Sequence, residues 1–121
     1  MPPRLVIADD NEGIRVLLRV LIEVDGRMKV VGEAADGEQA LALVRSERPD
    51  LLLLDLSMPV LDGLQVLTEI RAAGIELKTL VYSGFTAAEV REAALAAGAS
   101  DVLVKGVAPE TVVARLAELA A

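Results

Sequence analysis

The sequence predicts an α/β protein: a doubly wound, five-stranded parallel sheet in strand order 2-1-3-4-5, with five helices covering its two faces. Three observations lead there. Apolar runs of four or five residues alternate with helical patterns about five times along the chain. Helix-capping residues stand at the junctions between those patterns. The polar residues able to do chemistry fall just after four of the predicted strands, at the edge where open parallel sheets bind ligands.

The elements can be justified in order. Strands are predicted at residues 5–8, 28–34, 51–54, 79–82 and 102–104. Periodicity alone does not separate Leu51-Leu52-Leu53-Leu54 from a helical turn, but its short length between Pro49 and Pro59 favours a buried strand. The second strand carries Lys29 and Glu33 among its apolar residues, as a sheet edge would. Ile14, Leu17, Leu18, Leu21 and Ile22 form one apolar stripe of a first helix, entered at Asn11 and ended near Gly26. Asp36 and Asp62 each precede a Gln by three residues, and Thr86 precedes Glu89 likewise, the spacing of a capping box. Gly74 and Gly98 stand where left-handed C-caps are wanted, and Pro109 suits a first helical turn. Val112, Leu116 and Leu119 share one face of the last helix.

Composition narrows the function classes. With 121 residues and 54% hydrophobic content, a single core and a single domain spanning residues 1–121 are expected. Lys plus Arg number 12 against 19 Asp plus Glu, a net charge of −7, so the surface should repel nucleic-acid backbones and anionic lipid. The chain contains neither cysteine nor histidine, which removes disulfides, thiol chemistry and the usual neutral-pH base. Chemistry must then rest on carboxylates, hydroxyls and lysine. No apolar run approaches the roughly 18–20 residues of a membrane span, and Met1-Pro2-Pro3-Arg4 leads into a strand rather than a signal peptide. A cytoplasmic location without membrane contact is expected.

Asp9 and Asp10 follow the first predicted strand, Asp55 the third, Ser83 the fourth and Lys105 the fifth. Right-handed crossovers in the order 2-1-3-4-5 would bring these four ends together. Three carboxylates in one crevice repel each other unless a hard cation neutralises them, and an all-oxygen donor set favours magnesium. Calcium is the alternative, although the alternating acidic loop of an EF-hand is lacking. Such an ion can hold a phosphoryl oxygen while Lys105 neutralises another and Ser83 donates to a third. A carboxylate nucleophile would then give an aspartyl phosphate. Taken singly, Asp55 would also fit a turn start, Asp9-Asp10 an ordinary acidic loop, Ser83-Gly84 a turn and Lys105 a solvated charge. Their joint placement at four strand ends is what favours a site.

These residues resemble the receiver domains of bacterial two-component response regulators. The resemblance runs through Ala8-Asp9-Asp10, the block from Gly32 to Gly37, Leu54-Asp55-Leu56-Ser57-Met58-Pro59-Val60-Leu61-Asp62-Gly63, Tyr82-Ser83-Gly84 and Lys105. The stretch from Gly98 to Lys105, followed by Ala108-Pro109-Glu110, looks most like the NarL/FixJ type. It implies the flavodoxin-like (CheY-like) fold, with Asp55 as phosphoacceptor and Mg2+ held by Asp10, Asp55 and the backbone carbonyl of Ser57, Asp9 acting through water. Ser83 and Lys105 would contact the phosphoryl group. The implied donor is a sensor histidine kinase, and the domain would assist only its own phosphorylation and dephosphorylation. A homodimer is among the implied partners, and DNA would be reached only through an output domain outside this chain.

The sequence departs from that pattern at two places. Val102 stands where the family usually has the Tyr or Phe whose ring moves inward on activation, and Gly106 stands where many receivers have proline. Val102 is the best support for the alternative, a receiver-like interaction module that works without phosphorylation. Phe85, two residues past Ser83, would either shield an acyl phosphate from water or pack on Val90 beside the Thr86 cap, and the packing is preferred. A haloacid-dehalogenase-type phosphatase would need a second Asp where Ser57 stands. A flavin binder would not place Asp9-Asp10 at its phosphate loop, where they would repel the ligand.

Overall fold

The computed structural model describes residues 1–84 and 88–121. Its elements run β1 (Arg4–Ala8), α1 (Glu12–Asp25), β2 (Lys29–Ala34), α2 (Gly37–Glu47), β3 (Leu51–Leu54), α3 (Gly63–Ala72), β4 (Lys78–Ser83), α4 (Ala88–Ala96), β5 (Asp101–Val104) and α5 (Pro109–Ala120). All strand pairs are parallel and the order is β2-β1-β3-β4-β5, as expected. Strand bounds differ from the expected ones by a residue at several ends. Met28 lies just outside β2 yet is buried, so apolarity alone placed it in the strand.

Side chains alternate across the sheet and so divide the core in two. Val6, Leu52, Leu54, Val81 and Val102 face α2, α3 and α4, packing on residues such as Val44, Val66 and Ala94. Leu5, Ile7, Leu51, Leu53 and Leu80 face Leu18 and Ile22 of α1 and Val112 and Leu116 of α5. Because helices cover both faces, every residue of β3 is buried, which explains its unbroken run of leucines.

Caps fix where the helices start. Asn11 accepts from the Ile14 N–H, and Gly26 closes α1 in the left-handed region. At α3 the Asp62–Gln65 capping box is complete. At α2 the Asp36 side chain accepts from the Gln39 N–H, but Gln39 reaches back to the N–H of Ala35 instead of Asp36. The Thr86 cap and the packing of Phe85 lie outside the described residues. Leu17 departs from the expected stripe and is 47% exposed. One residue along a helix is a turn of about 100°, which carries Leu17 off the line through Leu18 and Ile22. Together with Val16, Val20 and Val24 it leaves apolar surface on the outer side of α1.

The loop from β3 to α3 is held tightly. The Leu61 N–H donates to the Pro59 carbonyl across Val60, whose φ of 70° is uncommon for a β-branched residue. The N-terminus of α2 lies against this loop so closely that a Cβ on Gly37 would stand 1.8 Å from the Leu61 carbonyl oxygen. Backbone on both sides leaves little room to yield, so Gly37→Ala is expected to destabilise the domain by about 2 kcal/mol. An unchanged denaturant midpoint would refute that packing.

Candidate functional site

Parallel strands present their C-terminal ends on one edge, and the observed order makes β1, β3, β4 and β5 neighbours there while β2 stands outside. The sequence-predicted residues are thereby brought together. Asp9, Asp10 and Asp55 each offer a carboxylate oxygen within 4.8 Å of the others. Asp9 and Asp55 are buried, and Asp10 is exposed at the rim. Lys105 reaches in from the end of β5, its Nζ 2.9 Å from Asp9 and 3.0 Å from Asp55. That ammonium also lies 5.9 Å from the centre of the Tyr82 ring.

Local bonds set the carboxylates. The Asp55 N–H donates to the Ala8 carbonyl, extending the β1–β3 ladder by one step, and the Ser57 N–H donates to Asp55 Oδ1 at 3.1 Å. The Asp9 N–H likewise extends the ladder to Ala34, and the Asn11 N–H donates to Asp9 Oδ1 at 2.9 Å. Burial raises the Asp9 carboxyl above its ordinary 3.8, against the lowering pull of Asn11 and Lys105, and the Asp55 charge adds to the rise. Burial works against the Lys105 ammonium, yet hydrogen bonds to Asp9 and Asp55 hold its pKa above the ordinary 10.5. A cation is thus kept between two buried carboxylates.

Ser83 ends β4 at the same edge and is buried. Its hydroxyl finds no hydrogen-bond partner among the described residues, an arrangement that costs stability unless something polar arrives to use it. Beside the carboxylates opens a cavity of about 540 Å³ lined by Asp10, Leu56, Ser57, Met58, Pro59, Asp62, Leu64 and Val90. An all-oxygen set of clustered carboxylates with an open, partly exposed side fits a hard divalent cation that retains water.

Val102 is buried on the α4 side of β5. Its N–H donates to Asp101 Oδ1 at 2.8 Å and its carbonyl accepts from Arg91 Nη1 at 2.9 Å. Asp101 is in turn paired with Arg91 and with Arg115 of α5. Sequence reasoning missed this clamp, and it also missed Arg15, whose Nη1 donates to the Asp9 carbonyl at 2.6 Å. The only signal for Arg15 was a basic residue one helical turn after the Asn11 cap.

Comparison with known proteins agrees with this fold. The family model for the response regulator receiver domain matches residues 5–117. The response regulator MprA of Mycolicibacterium vanbaalenii is 40% identical over 119 residues, which cover 98% of this chain and 51% of that protein. MprA of Mycobacterium tuberculosis gives the same figures, so the chain spans about half the length of the curated relatives it matches. The solved signal receiver domain of NarL from Mycobacterium tuberculosis superposes with a TM-score of 0.94 at 32% identity, covering 98% of this chain and 96% of that one. A DNA-binding response regulator of the LuxR family from Staphylococcus aureus superposes with a TM-score of 0.93 at 25% identity, covering 98% and 99%. The resemblance to NarL-type receivers thus holds. Fold and sequence agree, and the chain belongs to the response regulator receiver domain family.

Proposed function

We propose that this receiver accepts a phosphoryl group on Asp55 from the phosphohistidine of a sensor histidine kinase, with Mg2+, and so controls an output domain or partner. The observation that carries the reading is the meeting of Asp55 with Asp9, Asp10 and Lys105 at one sheet edge. The buried Ser83 hydroxyl at the same sheet edge, without a hydrogen-bond partner among the described residues, supports it.

In the transfer, an Asp55 carboxylate oxygen forms the new bond to phosphorus. The bond from phosphorus to the donor nitrogen breaks, and its electron pair stays with the imidazole. Asp10, Asp55 and the Ser57 backbone carbonyl would hold Mg2+, with Asp9 acting through water. When bound, the ion supplies charge neutralisation for the carboxylates and the incoming phosphoryl oxygens. Lys105 stands 3.0 Å from Asp55 Oδ2, where the same ammonium that screens the carboxylate can meet a phosphoryl oxygen. The Ser83 hydroxyl would turn to donate to another. The domain would assist only its own phosphorylation and hydrolysis, and would touch DNA only through an output domain outside this chain. Residues 1–121 would form one domain of a cytoplasmic protein, and a homodimer is among its implied assemblies. Among the described residues, no helix is long and apolar enough to cross a membrane.

Incubation with acetyl phosphate and Mg2+ should give an acid-stable, base-labile label on the chain. A protein that stays unlabelled would favour the phosphorylation-independent interaction module, the reading that Val102 supports.

Val102 also bears on how the signal leaves the site. A β-branched side chain has few rotamers, and here both backbone groups of Val102 are tied to side chains. A ligand biases two states only by interacting differently with them, and a missing ring removes one such difference. A phosphoryl mimic is therefore expected to shift the amide resonances around Asp55 and Ser83 strongly and those on the outer face of α4 and β5 weakly. Equal shifts at both places would show that Val102 is no handicap.

A further inference from the structure

We infer that Arg15 is a positioning residue for the metal-binding end of β1, restrained in that role by Glu33; the inference rests on the Mg2+ reading above. The Arg15 guanidinium, on the first turns of α1, donates from Nη1 to the Asp9 carbonyl at 2.6 Å while its Nε lies 3.5 Å from Glu33 Oε1 on β2. Its side chain is only 15% exposed, so the contact is shielded from water. Glu33 is itself held by Arg19, whose Nη1 lies 2.6 Å from Glu33 Oε2. A planar guanidinium can serve the carbonyl and the carboxylate at once, which a point charge does less well.

The position matters because the Asp9 carbonyl links the end of β1 to Asp10. The Asp9 N–H is taken by Ala34 and Asp9 Oδ1 by the Asn11 N–H, both through neighbouring backbone. Among the described residues, Arg15 supplies the side-chain anchor on the Asp9 carbonyl, the atom from which Asp10 continues. Without it the plane of the peptide between Asp9 and Asp10 loses that anchor, and the backbone that carries the Asp10 carboxylate is held less firmly.

Charge and positioning predict opposite signs. Arg15 brings a positive charge close to the carboxylate cluster, so on Coulomb grounds removing it should tighten Mg2+ binding. If Arg15 acts by holding the turn, removing it should weaken binding. Arg19 carries the same charge on the same helix and touches Glu33, but not the Asp9 carbonyl. Its removal takes away the same charge while leaving the Arg15 contacts to the Asp9 carbonyl and to Glu33 in place, so it serves as the charge control.

The test is Mg2+ titration by calorimetry of the unaltered chain and of Arg15→Ala, Arg19→Ala and Glu33→Gln, with amide hydrogen exchange of each metal-free protein. Arg15→Ala should raise the Mg2+ dissociation constant about tenfold. Arg19→Ala should leave it unchanged or slightly lower. The Asn11 amide, bonded to Asp9, should exchange about tenfold faster in metal-free Arg15→Ala. Glu33→Gln should move both readouts in the same direction by less, and it decides the matter if Arg15→Ala does not fold. An unaltered chain that binds no Mg2+ would overturn the metal reading, and exchange alone would then judge Arg15. Unchanged Asn11 exchange, or a dissociation constant that stays the same or falls in Arg15→Ala, would overturn the inference itself.

Discussion

Asp55→Asn should abolish labelling by acetyl phosphate while leaving the domain folded. Asparagine keeps the shape of the side chain and an oxygen for the Ser57 N–H, so the local turn can persist. What it loses is the anionic nucleophile, and no other carboxylate is placed to replace it. Asp9 is raised by burial, and its two oxygens are engaged by Asn11 and Lys105. Asp10 is exposed at the rim, where water competes for any phosphoryl donor. Only Asp55 lies at the end of the central strand, faces Lys105 and shares its edge of the sheet with the buried Ser83 hydroxyl. Intact mass with and without the donor reads the result. An Asp55→Asn protein that still gains the full label would remove Asp55 from the role.

Asp10→Ala should weaken Mg2+ binding at least tenfold, on the order expected when a group that shapes a metal site is lost. A hard ion gains most from direct anionic ligands, and the exposed position of Asp10 gives it freedom to turn toward one. Binding to the folded state alone also stabilises it. With Mg2+ at a hundred times its dissociation constant the gain is about 2.7 kcal/mol. For a chain of this size that is a rise in melting temperature of about 10 °C. Asp10→Ala should show a small fraction of that rise at the same Mg2+ concentration. Melting curves indifferent to Mg2+ in the unaltered chain would show that the folded chain holds no such ion.

The meeting of the candidate residues could be read from sequence because they sit at strand ends, and strand ends are announced by apolar runs stopping at Asp9, Asp55, Ser83 and Lys105. Caps with side-chain acceptors were equally legible at Asn11, Asp36 and Asp62, since each helix start uses bonds between residues three apart. Features made by packing were not. Arg48 closes α2 with a φ of 46°, and Val60 takes a φ of 70°, positions where glycine would have been expected. Leu17 counts toward a stripe in sequence but faces outward because the covering elements lie over Leu18 and Ile22. The guanidinium of Arg15 on the Asp9 carbonyl joins two elements through a side chain to the backbone, which leaves no periodic trace.

The clamp around Val102 has a consequence for how these molecules behave at high concentration. β5 is a border of the sheet, and a border strand ordinarily offers its amides and carbonyls to any stray extended chain. Here the Val102 amide is occupied by Asp101 and its carbonyl by Arg91, so the middle of that border presents charged side chains where a template would need empty backbone. Arg115 anchors Asp101 from the other side and holds the cover in place. At Val102 the border thereby offers an added strand no empty backbone group to pair with.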